Sequence, residues 1–85
     1  MKKFRASNGT KIEELEVIKE TDKQIVFVSK SGYTNREAKI TYFTSWHNTK
    51  EDAINYLIAE EQTKIDDKLR QIEYHRKNIV RIAAL

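Results

Sequence analysis

The chain has 85 residues, with 34% charged and 39% apolar side chains, no cysteine, no proline and a net charge of +3. That length holds one domain with a modest core, because chains this small bury only about 60% of the surface they expose when unfolded. Without cysteine, disulfides and thiolate metal sites are excluded as extra stabilisation, which leaves oligomerisation or regular helix packing.

No apolar run approaches the ~20 residues of a membrane span, and Met1 to Arg5 lacks the apolar stretch of a signal peptide. A cytoplasmic protein without membrane attachment is therefore expected. Its composition is that of a foldable chain rather than a disordered one.

In chain order, Lys3 to Ala6 suits a short edge strand, and Asn8-Gly9 is a favourable pair for a tight hairpin turn because both positions tolerate positive φ. Lys11 to Lys19 reads as the next strand, although Ile12, Leu15 and Ile18 would also suit one side of a short helix. Gln24 to Ser29 is a strand, since Ile25, Val26, Phe27 and Val28 fit a pleated surface. Ser31-Gly32 marks the following turn. From Asn35 to Phe43, Ala38, Ile40 and Tyr42 alternate with polar residues as in a half-buried antiparallel strand.

Thr49 to Ala84 contains neither glycine nor proline, and Thr49, with Asn48 as the alternative, is placed to cap a helix. The expected fold is α+β: a single domain with a three- or four-stranded antiparallel sheet over 1–47 and one long helix over 48–85. That helix is far longer than strands of six or seven residues, which span about 20 to 24 Å. Its first turns, with Ala53, Ile54, Leu57 and Ile58, are expected to cover the sheet beside Phe43 and Trp46.

The rest of the apolar stripe has no sheet left to cover. Ile58, Ile65, Ile72 and Ile79 recur every seven residues with Leu69 nearby, as in a helix–helix seam, which predicts pairing in a homodimer. Glu61, Gln62, Lys68, His75 and Arg76 interrupt the seam and argue against a long parallel coiled coil. The alternative is a helix that bends back near Gln62-Thr63 and packs on its own domain.

Charge is polarised along the helix. Glu51, Asp52, Glu60 and Glu61 outweigh Lys50 near its start, whereas Lys68, Arg70, Arg76, Lys77 and Arg81 outweigh Glu73 near its end. Arg70, Tyr74, Lys77 and Arg81 follow at spacings of four, three and four, which sets them on one face with Lys68 beside it. Such a face can neutralise phosphates while Tyr74 stacks on an unpaired base, and Lys2, Lys3 and Arg5 could add to it. It can equally meet an acidic protein surface, or simply complement the helix dipole as solvated surface.

Chemistry is poorly represented. The two histidines, His47 and His75, lie on different elements, with no cysteine and no compact ligand spacing, so neither catalysis nor a metal or other cofactor is expected. His47 suits a turn or cap. Tyr33, Tyr42, Phe43 and Trp46 are expected to close the core and dock the helix.

KIEELEVIKET at 11–21, REAK at 36–39 and YFTSW at 42–46 leading into TKEDA at 49–53 resemble small tailed-bacteriophage proteins that join a β-sheet to a long C-terminal helix. The similarity covers roughly residues 10–60. It implies a context rather than a residue-level mechanism: stoichiometric binding and inhibition of a host component, such as a defence nuclease or a toxin–antitoxin system, sometimes with RNA in the complex.

Overall fold

The computed structural model describes residues 1–85 as a small β-unit carrying a long helical arm. The strands are β1 (Lys2–Ser7), β2 (Lys11–Glu20), β3 (Gln24–Val28), β4 (Thr34–Ala38) and β5 (Thr44–His47), followed by helix α1 (Lys50–Ala83). They form one antiparallel sheet in the order β4-β3-β2-β1-β5. The α+β class is therefore as the sequence suggests, with one strand more than the expected three or four.

Local chemistry sets the hairpins. Asn8 and Gly9 take φ of 54° and 76° in the loop joining β1 to β2, a conformation that asparagine and glycine tolerate best. Thr21 Oγ1 accepts the Gln24 amide at 3.1 Å in the β2–β3 turn. Lys11 to Lys19, ambiguous in sequence, lies wholly within β2.

β2 serves two neighbours: its first half pairs with β1 and its second half with β3, and the register shifts by one residue between Val17 and Lys19. Such a bulge bends the strand and increases its twist. Ile18, at the bulge, is left exposed.

The sheet curls until its edges meet. Phe27 of β3 and Trp46 of β5 are separated by two intervening strands, so in a flat sheet they would stand about 14 Å apart. Their ring centroids are 4.8 Å apart. Together with Leu15, Val17 and Ile25 they form the core of a small barrel-like unit. The Trp46 amide donates to the Lys39 carbonyl at 3.0 Å, and Ile40 bridges to Ser45, which joins the end of β4 to β5 across the closing seam.

Charged side chains reinforce this closure. Arg5 Nε and Nη2 donate to the two carboxylate oxygens of Glu37 at 2.8 and 3.2 Å, and Trp46 Nε1 donates to Glu37 Oε1 at 2.5 Å. Glu37 raises the Arg5 pKa above its ordinary value, chiefly through these hydrogen bonds. Lys3, nearly buried, pairs with Glu20, which Lys39 also approaches at 3.6 Å. Lys3 and Arg5 are thus spent in closing the sheet rather than offered as an exposed basic cluster.

The strand expected over Asn35 to Phe43 stops at Ala38, and β5 begins only at Thr44. The Thr41 hydroxyl accepts the amides of Phe43 and Thr44 at 3.2 and 2.9 Å, and this local turn displaces the ladder between β4 and β5. Tyr42 is consequently 93% exposed, and Phe43, Ile40 and Tyr33 also face outward. Of the four aromatics expected in the core, Trp46 alone is buried there.

Candidate interaction surface

Helix α1 starts where Thr49 caps it: the Thr49 hydroxyl accepts the Asp52 amide at 3.1 Å, and Glu51 and Asp52 sit in the positive first turn. Arg81 occupies the last turn, where a cation complements the dipole. With 34 residues, the helix is about 51 Å long.

It docks on the outside of the sheet through its first two turns. Ala53 is fully buried, close to where Ala6 and Ser45 are also buried, and Tyr56 and Leu57 are partly covered. The Tyr56 ring lies 4.9 Å from that of His47, whose Nε2 is 2.8 Å from Ser45 Oγ. Burial lowers the His47 pKa from its ordinary value, with Asp52 opposing the change. His47 is therefore a docking residue at the end of β5.

Beyond Leu57 the helix rises off the sheet, flanking the Thr41–Ser45 segment as far as Lys64 before it stands free. The molecule measures 64 × 24 × 21 Å, and its radius of gyration is 19.3 Å. A compact domain of this length would have about 12 Å. The arm does not bend near Gln62-Thr63 and does not fold back on the sheet. Thr63 instead returns its hydroxyl to the Ala59 carbonyl at 3.1 Å, inside the continuous helix.

Ile54 and Ile58, expected on the sheet, are exposed. Placed at about 100° per residue, they belong to a stripe with Ile65, Leu69, Ile72 and Ile79, roughly 125° around the helix from the docking face of Ala53, Tyr56 and Leu57. The six side chains of this stripe are 40 to 65% exposed. Ile58, Ile65, Leu69, Ile72 and Ile79 thus share one uncovered face, and Ile54 extends it towards the capped end.

Arg70, Tyr74, Lys77 and Arg81 lie roughly 150° from that stripe by the same geometry, so the two surfaces are nearly back to back. All four are exposed, as is Lys68 at the border of the stripe. Arg70 makes an exposed pair with Asp67 at 3.3 Å, and Lys64 pairs with Glu61 at 3.0 Å. His75 is exposed on the arm, its ring 5.7 Å from that of Tyr74.

A cleft of about 730 Å³ opens between the Thr41–Ser45 segment and α1, with Tyr42 and Phe43 on one side and Tyr56, Leu57 and Lys64 on the other. Tyr42 and Phe43 pack edge to face, with centroids 4.8 Å apart. No three His, Asp or Glu side chains converge as a metal-binding group, and no helix is long and apolar enough to cross a membrane. Comparison with protein-family models, curated proteins and solved structures finds no match to this chain.

Proposed function

We propose that this protein is a non-enzymatic binding module that pairs with a second copy through the apolar stripe of α1 and contacts RNA through the opposite, basic face. The observation that carries this reading is the back-to-back placement of the two surfaces, because pairing through one leaves the other open. Six half-exposed side chains per chain make twelve per dimer. At about 1 kcal/mol for each half-burial, they contribute about 12 kcal/mol. Association costs about 4 to 15 kcal/mol, so the stripe is of the size a homodimer needs.

Arg70, Lys77 and Arg81 supply three cations for phosphates, and Tyr74 supplies a stacking surface. The phage-type resemblance of residues 10–60 makes RNA-bearing defence or toxin complexes of a host the partners to test first, with stoichiometric inhibition as the outcome.

Fluorescence anisotropy with a labelled single-stranded RNA tests the basic face. Three phosphate contacts on a single strand give a salt slope near −2, so affinity should fall about 20-fold between 50 and 200 mM salt. Tyr74→Ala should cost roughly 1 to 3 kcal/mol at any salt. If R70E/K77E/R81E binds RNA as the parent does, the basic face is not the contact. Binding to a protein target that is insensitive to salt and abolished by Ile72→Asp would assign the stripe to that target instead.

A further inference from the structure

We infer that the partner copy lies antiparallel, with the centre of the Ile58–Ile79 series, between Lys68 and Leu69, on the two-fold axis. This rests on the stripe being a homodimer interface, and adds the direction and register of pairing.

The charge of α1 changes sign one residue from that point, between Asp67 and Lys68. Over 50–67 it carries six carboxylates against two lysines, and over 68–83 it carries five Lys and Arg residues against one glutamate. A parallel pair would set each half beside its own copy, like charge along like charge. An antiparallel pair sets each acidic half beside the partner's basic half, twice over by symmetry, which is the complementarity that selects one orientation over another.

Four of the stripe isoleucines obey the same symmetry. Ile58, Ile65, Ile72 and Ile79 are spaced evenly about their centre. A two-fold there brings Ile58 level with the partner's Ile79 and Ile65 level with the partner's Ile72. The interruptions also find a place. Arg76 falls within the stripe, and the ion pairs along α1, Lys64–Glu61 and Arg70–Asp67, leave it without one. The same register sets Arg76 level with the partner's Glu61. In a parallel pair Arg76 would meet Arg76.

Shape permits this arrangement. Each β-unit docks on residues 53–57, to one side of the stripe, so an antiparallel pair places one β-unit at each end of a rod, about 40 Å apart along the axis. The two basic faces then sit about 20 Å apart along the rod, as separate sites instead of one merged patch.

The absence of native cysteine makes the direction measurable by disulfide trapping in the full chain. Ile58→Cys and Ile79→Cys are prepared separately, then mixed, allowed to exchange and oxidised. The antiparallel pair predicts little crosslinking in either variant alone and a crosslinked heterodimer in the mixture. Self-crosslinking of each variant alone, with none between them in the mixture, would overturn the direction while leaving the dimer intact. A parent protein that is monomeric by light scattering would remove the dimer itself.

A charge exchange tests the register without touching an isoleucine. Glu61→Arg should weaken dimerisation roughly tenfold, from two lost pairs of the size measured for exposed ion pairs. E61R/R76E should restore it. Failure to restore, in a protein that still dimerises, would overturn the register.

Discussion

Glu37→Ala tests how the sheet is held closed. One carboxylate accepts three hydrogen bonds: two from Arg5 on β1, at 2.8 and 3.2 Å, and one from the Trp46 indole on β5, at 2.5 Å. Arg5 and Glu37 side chains are 23% and 20% exposed, so the pair is shielded but still wetted. Removing the acceptor of a fully buried charge costs about 3 to 5 kcal/mol, and exposed pairs cost less than about 1. With this partial exposure, and the indole left unsatisfied, the loss should be about 3 kcal/mol. For a domain of this size that lowers Tm by roughly 12 to 24 °C.

Trp46 is the only tryptophan and sits in the cluster, so its fluorescence during urea or thermal unfolding reports directly on closure. Glu37→Gln retains one acceptor and should lose less than Glu37→Ala. A loss below about 0.5 kcal/mol, the range of an ordinary surface substitution, would show that apolar packing closes the sheet and that the Glu37 contacts are incidental.

Three further outcomes follow from the docking face and the arm. The folded-state pKa of His47 lies below its ordinary value because of burial. Stability that is full above about pH 6.5 should therefore decline as pH falls through the lower folded value; urea unfolding at pH 7.5 and 5.5 should show the loss in the parent and much less of it in His47→Gln. Ala53 is fully buried between α1 and the sheet, so Ala53→Leu should cost about 1 to 3 kcal/mol by overpacking, read by circular dichroism melts. Ile72→Asp should give monomers by light scattering while the urea midpoint of Trp46 fluorescence, measured at high dilution, stays at the parent value; a persistent dimer would remove the stripe from the interface.

Features set by neighbouring residues were legible in the sequence. The Asn8-Gly9 turn, the β-branched run at Ile25 to Val28 and the Thr49 cap each depend on local chemistry, and each is present. Closure of the sheet was not legible, because its signals are long-range. Lys3, Arg5 and Glu37 look like ordinary solvated charges until the curl brings β1, β4 and β5 together. The alternation of Ala38, Ile40 and Tyr42 imitates a strand whose ladder the Thr41 hydroxyl interrupts.

The helix shows the same division. Its length and unbroken course were readable from the absence of glycine and proline, but not which side rests on the sheet. Ile54 and Ile58 are as apolar as Leu57, yet the sheet takes the side of Ala53, Tyr56 and Leu57, where the small Ala53 allows close approach. The stripe runs further towards the capped end than the seven-residue spacing alone suggested. The basic face was legible as a spacing; what the structure adds is that it lies behind the stripe.

The bare arm also divides the molecule into two regimes of motion. Amides of β1 and β2, the interior strands of the sheet, should exchange with solvent only when the whole β-unit unfolds. Those beyond Lys64 have helix bonds but no part of the β-unit beside them in a single chain, and can open by fraying from the free end. Deuterium uptake along α1 should therefore slow as protein concentration rises, while uptake in the strands holds constant. The arm becomes its own gauge of whether it has found a partner.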